Sequence, residues 1–207
     1  MIGFNMSCMI SANDNLITLD SNSLSSIDFD FRHSFINTEE PYSYIFGRSG
    51  KEHYRLLRKI SDSFDGVQIS DVGTNKGLSA LSLSNGKNTV RSYDIVNRVD
   101  QRVLDISDDI GCEFIICNCL EDEEHRNYIL SSDIIFLDTD HDGIFENQFY
   151  SFLVDNEFSG VLLLDDIHLN EPMQKFWDSL TQEKHDLTEF GHFTGTGMVL
   201  FGGSEND

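Results

Sequence analysis

Basic residues are scarce in this chain, with 14 Lys and Arg against 36 Asp and Glu, giving a formal charge of −22 at pH 7. Phosphate backbones are gripped by clustered Lys and Arg, so the deficit argues against nucleic acid as a partner. Long apolar runs are also missing. Nothing approaches the roughly 18 residues of a membrane span, and unbroken runs such as Val161 to Leu164 are strand-sized, so no membrane partner is expected. The opening stretch MIGFNMSCMISANDN has no basic segment followed by an apolar core, and no secretory signal is read there. Cys8, Cys112, Cys117 and Cys119 form no C-x-x-C pair, which points to reduced thiols in a cytoplasmic protein. Repeats, low-complexity tracts and linkers are absent, and with them the case for a second domain.

What is present is a chain of 207 residues, 39% hydrophobic and 11% aromatic, long enough to bury a sizeable core. Residues 1 to about 38 are rich in Ser, Asn and Asp without a sustained period. They read as a loosely ordered N-terminal segment, with Phe29, Phe31 and Phe35 available to pin it to a single domain over 39–207. After Pro41, Tyr42 and Tyr44-Ile45-Phe46, the run Gly47-Arg48-Ser49-Gly50 opens a helix with Tyr54, Leu57, Ile60 and Phe64 on one face.

From Val67 onward strand and helix patterns alternate. Strands are expected near 67–72, 89–94, 113–117, 133–138 and 161–165, and helices near 76–84, 98–109, 121–131, 143–155 and 170–181. Such alternation implies a parallel sheet covered by helices on both faces. His185 to Phe190 and Gly197 to Phe201, separated by 191–196, read as an antiparallel hairpin closing that sheet. The expected fold class is therefore α/β, Rossmann-like and doubly wound, with a mostly parallel seven-stranded sheet ending in a C-terminal antiparallel hairpin.

The stretch from Gly66 to Ser84 organises the rest. β-Branched Val67, Ile69 and Val72 lead into Asp71-Val72-Gly73-Thr74-Asn75-Lys76-Gly77, and Leu78-Ser79-Ala80-Leu81 begins a helix. A dinucleotide fingerprint would need G-x-G-x-x-G, and the paired glycines are missing. The stretch resembles instead the first motif of class I S-adenosylmethionine-dependent methyltransferases, an acid followed by x-G-x-x-x-G, with a continuation like that of O-methyltransferases. The resemblance covers roughly residues 45 to 202. A sulfonium cofactor is cationic and carries an amino-acid head, so an acid such as Asp71 near the turn is useful where a phosphate binder would avoid one. The resemblance implies cofactor contacts from Asp71, Gly73, Thr74, Gly77 and Ser79. Asp94, ending the next strand about twenty residues on, is placed to accept from ribose hydroxyls. Cys119, within Cys117-Asn118-Cys119-Leu120-Glu121, falls at the family's adenine side.

Two apolar strands end in acids: Asp133-Ile-Ile-Phe-Leu-Asp138-Thr139-Asp140-His141 and Val161-Leu-Leu-Leu-Asp165-Asp166-Ile-His168. Parallel neighbours lie about 4.8 Å apart and open α/β sheets bind ligands beyond their carboxyl ends, so both groups should face one crevice. Gathered carboxylates there repel one another unless protons, hydrogen bonds or a cation compensate them, and oxygen ligands without a Cys–His cluster point to Mg²⁺, with Mn²⁺ or Ca²⁺ as alternatives. The pattern is similar to metal-dependent O-methyltransferases of the catechol and caffeoyl-CoA type. It lies closer to the branch with macrolide-sugar O-methyltransferases and cephalosporin-hydroxylase-like proteins, where D-x-x-H and a second acidic pair recur. On that resemblance Asp138, Asp165 and Asp166 are metal ligands and His141 is the general base. Asp165 and Asp166 can both reach one ion only if the strand ends between them.

The expected activity is metal-assisted methyl transfer to a hydroxyl of a small molecule or sugar, with homo-oligomerisation left open. Two alternatives stand beside it. One is a cephalosporin-hydroxylase-like oxygenase, whose iron would draw on His141, His168 and Asp138; the other is a binding module that keeps the fold without turnover. His192 and the Arg48 loop are weaker site candidates, and Phe176 and Trp177 are expected in the core.

Overall fold

The computed structural model describes residues 7–12, 15–27, 48–191 and 193–202, with the backbone alone for 48–52. Phe29, Phe31, Phe35, residues 41–47, His192 and the Arg48 side chain lie outside what is described.

Seven strands form the central sheet: β3 (Gln68–Val72), β4 (Thr89–Asp94), β5 (Cys112–Ile116), β6 (Ile134–Leu137), β7 (Gly160–Asp165), β8 (Glu183–Asp186) and β9 (Thr196–Phe201), in the order β5-β4-β3-β6-β7-β9-β8. The first five in chain order pair in parallel, and β9 runs antiparallel to both β7 and β8. The chain reverses its direction of travel across the sheet at β3 and β6, the switch point where such sheets open a crevice at their carboxyl ends. The doubly wound seven-stranded architecture expected from the alternation is the one observed.

The helices are α2 (Arg48–Ser61), α3 (Leu78–Leu83), α4 (Gln101–Asp105), α5 (Ser107–Ile110), α6 (Glu123–Leu130), α7 (Ile144–Asp155) and α8 (Glu171–Ser179). The pleat divides their packing. In β6, Ile134 and Phe136 join the layer of Leu56, Leu57 and Ile60 from α2, whereas Ile135 and Leu137 join that of Phe149 from α7 and Phe176 and Trp177 from α8. Each fully buried Leu or Ile stabilises the fold by about 1.5–3 kcal/mol relative to exposure. β7 is buried at all six positions, which is why it reads as a continuous apolar run rather than an alternating one.

Three local features differ from expectation. The first described residues form a hairpin, β1 (Ser7–Ala12) with β2 (Asn15–Asp20), followed by α1 (Ser21–Ser26), whose N-cap Asp20 accepts from the amides of Asn22 and Ser23. Ile10, Ala12, Ile17 and Leu19 point inward with period two and join the α2 layer, while Arg55 donates to Ser25 O at 2.9 Å. The helix expected over 98–109 is broken at Ile106 into α4 and α5. The hairpin strand expected at 185–190 sits earlier, as β8, because Leu187 and Phe190 turn inward at a spacing of three, with Phe190 N–H donating to Leu187 O at 2.8 Å. Among the described residues no helix is long and apolar enough to cross a membrane.

Candidate active site

β3 ends at Val72, and Gly73 follows with φ +108, its N–H donating to Tyr93 O at 2.9 Å. A Cβ there would lie 1.6 Å from Asp138 O, so only glycine lets β3 and β6 converge at this point. Asn75 N–H donates to Asp94 Oδ2 at 2.8 Å and Val96 N–H to Asp94 Oδ1 at 2.9 Å, binding the acid that ends β4 to the glycine turn.

Two cavities open on this turn. The larger, about 420 Å³, is lined by Gly73, Asp94, Arg98, Cys119, Asp138 and His141, among others. The smaller, about 240 Å³, is lined by Tyr54, Thr74, Lys76, Ser79 and, again, Gly73 and Asp138. Of the cofactor residues read from the sequence, Gly73, Thr74, Ser79, Asp94 and Cys119 therefore face a cavity. Asp71 and Gly77 line neither. Gly77, at φ +86, packs where a Cβ would meet Val103 at 3.1 Å and Phe114 at 3.3 Å.

Asp71 shares its sheet face with Ile69 and is 0% exposed. Ser92 Oγ donates to its Oδ2 at 2.5 Å, and the same hydroxyl shares a 2.6 Å bond with Thr74 Oγ1. Burial pushes the Asp71 carboxyl up to about 7, with the Ser92 hydroxyl offsetting part of the rise. The burial of Cys119 likewise raises its thiol to about 12, so it presents a neutral, weakly polar wall.

The acids and histidine come together as their strand ends suggest. Asp138 N–H extends the β6 ladder to Val72 O at 2.8 Å. His141 Nε2 lies 3.2 Å from Asp138 Oδ1 and 3.7 Å from Asp166 Oδ2. Asp138, His141 and Asp165 each offer one donor atom, all within 4.8 Å of one another. Asp165 is the last residue of β7 and Asp166 takes φ +56, so the strand does end between the two acids. Asp166 reaches the cluster through His141. Two oxygens and one imidazole nitrogen in this grouping fit a divalent cation with a preference for oxygen and nitrogen donors.

Electrostatics within the cluster are strained toward such a cation. Burial raises Asp138 to about 6, offset in part by the neighbouring His141 imidazole. For His141 burial pulls downward, but the close approach of Asp138 and the charges of Asp138, Asp166 and Asp165 outweigh it and bring the imidazole to about 9.

Three participants were not anticipated. His53, buried on α2, places Nδ1 3.6 Å from Asp165 Oδ1 and 3.5 Å from Thr196 Oγ1. Its signal is positional, since it continues the buried stripe of Leu57, Ile60 and Phe64. Glu146 and Asn170 bind the backbone of the His141 turn; nothing in their sequence context marks them. His168, by contrast, is committed elsewhere: its Nδ1 pairs with Gln174 Oε1 at 2.6 Å and its Nε2 with Asp186 Oδ2 at 2.7 Å. The iron set of His141, His168 and Asp138 is therefore not assembled.

The strand order and the glycine turn at the switch point make this a Rossmann-like fold, one also seen in solved S-adenosylmethionine-dependent methyltransferases. No protein-family profile matches the chain, and no curated protein does. Among solved structures it is similar to the O-methyltransferase TomG of Streptomyces achromogenes, involved in tomaymycin synthesis and determined with SAM. That likeness has a TM-score of 0.59 at 14% identity over 88% of this chain and 96% of that one. An SAH-bound Podospora anserina methyltransferase matches at TM-score 0.56 and 15% identity, over 84% of this chain and 87% of the other. The O-methyltransferase of Bacillus cereus in complex with SAH matches at 0.54 and 14%, over 87% and 96%.

Proposed function

We propose that this protein is an S-adenosylmethionine-dependent, divalent-metal-assisted O-methyltransferase acting on a hydroxyl of a small molecule or sugar. The observation that carries the reading is the position of Asp138, which lines both cavities at the glycine turn and also belongs to the oxygen–nitrogen cluster. A methyl donor seated on the turn and a cation seated on the cluster would then share one wall. SAM and SAH in the structural neighbours support the same cofactor here.

In this reading Asp94 accepts from ribose hydroxyls, Gly73 lets the ligand approach the backbone, and Thr74 and Ser79 face the amino-acid end. Lys76, on the wall of the smaller cavity, supplies positive charge to that end's carboxylate. Asp71 and Gly77 act on the turn from behind rather than on the ligand. Asp138 and Asp165, with Asp166 beside them, would hold Mg²⁺ or Mn²⁺, whose Lewis acidity lowers the pKa of the acceptor hydroxyl. His141 Nε2 takes the hydroxyl proton. The carboxylate charges that lift it to about 9 are the ones a bound cation would neutralise, returning the imidazole toward its ordinary value near neutral pH. The four unpaired thiols are in keeping with a reducing, cytoplasmic setting.

Titration calorimetry with SAM and SAH, with and without Mg²⁺, tests the proposal. Micromolar binding of both is expected, and binding of neither would refute it. The 4.8 Å grouping also favours a second role for His141, as third ligand. His141→Ala separates the two: turnover falls in both cases, but only loss of a ligand weakens Mn²⁺ affinity as well.

A further inference from the structure

His141 sits in the left-handed region, φ +56, which is sparsely populated by non-glycine residues. Its two backbone polar groups are both bound by side chains from other elements. Glu146, in the first turn of α7 and 2% exposed, accepts from His141 N–H at 3.0 Å and from Thr139 Oγ1 at 2.8 Å, both through Oε1. Asn170, the N-cap of α8, donates from Nδ2 to His141 O at 2.8 Å while its Oδ1 accepts from Met173 N–H at 3.0 Å. The turn is thus wedged between the first turns of two helices. Gly143, at φ +77, is pressed so close to α8 that a Cβ would stand 3.2 Å from Pro172 O.

We propose that Glu146 and Asn170 clamp the His141 peptide from its two sides and that Glu146 is a positioning residue, aiming the imidazole at Asp138 and Asp166. The inference deepens the reading of this site as a methyl-transfer centre and rests on it for its catalytic meaning. Burying a carboxylate beside an acid-rich cluster is costly, and an ordinary loop staple has no need of one. Here that cost is offset by a single oxygen, Oε1, that receives both donors. Glu146 Oε2 has no hydrogen-bond partner among the described residues, so Glu146→Gln keeps both bonds through its carbonyl oxygen. Asn170→Asp keeps the α8 cap and replaces the donor to His141 O with a carboxylate oxygen that repels it.

The deciding readout needs neither turnover nor metal. Modification of histidines by diethyl pyrocarbonate, mapped by mass spectrometry, reads the exposure of His141, whose side chain is 16% accessible, against His53 and His168 as internal references. Glu146→Ala and Asn170→Asp are expected to accelerate modification of His141 by about tenfold, with His53, His168 and SAH affinity changed by less than about twofold. Glu146→Gln is expected to restore protection, and Mn²⁺ affinity to fall about tenfold in Glu146→Ala alone of the two Glu146 variants. An unchanged His141 rate in both disruptive variants overturns the clamp. So does equal acceleration of all three histidines, which marks general loosening, and so does a Gln variant as reactive as the Ala variant. If the wild type binds neither SAH nor Mn²⁺, the functional reading falls while the histidine pattern still decides the clamp.

Discussion

Replacing Gly73 with alanine tests whether the cavities and the acid cluster depend on one another. Two costs add. The backbone at φ +108 is outside what an L side chain favours, worth about 1–2 kcal/mol. The new Cβ would sit 1.6 Å from a backbone oxygen, Asp138 O, where contacts under 3.0 Å are essentially never found, so the end of β6 must retreat by about 1.4 Å. That oxygen belongs to the residue whose carboxylate bridges both cavities and the cluster. A misplacement of about 1 Å at reacting groups can cost on the order of a hundredfold in rate. Gly77→Ala is the control, because it carries similar strain at φ +86 but meets only side-chain atoms, Val103 at 3.1 Å and Phe114 at 3.3 Å. Urea unfolding of the two variants should show a loss of about 1–2 kcal/mol for Gly77→Ala and clearly more for Gly73→Ala. Calorimetry should show SAH and Mn²⁺ binding both impaired in Gly73→Ala and largely kept in Gly77→Ala. Equal losses in the two variants, or a Gly73→Ala protein that loses SAH binding while holding Mn²⁺ normally, would refute the idea of a shared wall.

Asp71 gives a pH prediction. Its folded value of about 7 lies above the ordinary 3.8, so the fold holds its proton more tightly than the unfolded chain does, and its contribution to stability declines as pH rises from about 4 to about 7. The gap corresponds to on the order of 4 kcal/mol; Asp71→Asn should remove that decline, and parallel stability profiles for the two proteins at pH 5 and 8 would show the carboxyl to be already ionised. His168 behaves oppositely to an acid: burial lowers it, but bonds to Asp186 and Gln174 raise it above its ordinary value. Its stabilisation is full below about 6.5 and lost as pH climbs through the raised value, so His168→Asn should cost more at pH 6 than at pH 9 in urea unfolding. Lys76→Met should weaken SAH roughly fivefold and leave 5′-methylthioadenosine, which lacks the carboxylate, unaffected; an equal loss for both ligands would remove Lys76 from the amino-acid end.

The sheet was legible because its central strands leave little choice. Val161 to Leu164 is apolar without alternation since both faces of β7 are covered, and the first glycine of the x-G-x-x-x-G turn, Gly73, is demanded by the approach of β6. The strand-terminal acids were legible for the same reason, as parallel strands put their carboxyl ends at one edge. What escaped was information the chain holds only in three dimensions. The inward residues of β1 and β2 number two each, too few to rise above a Ser- and Asn-rich background. Asp71 was read as a ligand contact from its place beside the turn, yet the pleat sends it to the face of Ile69, beneath α3. His53 and Glu146 reach the cluster from helices whose docking follows from packing rather than from any local pattern.

His141 and Asp166 share one further property, a left-handed backbone at φ +56 in non-glycine residues, Asp166 directly after β7 and His141 in the turn that follows β6. Such conformations cost about 1 kcal/mol apiece or more, and the gathered negative charge adds to that. Left-handed backbone and gathered negative charge thus coincide at this corner. Glycine at position 166 would relax the backbone and thin the charge together. Selection for ruggedness alone, without a functional filter, would be expected to dismantle this corner first, and a hardened descendant of the protein is where the trade between durability and chemistry would be read most plainly.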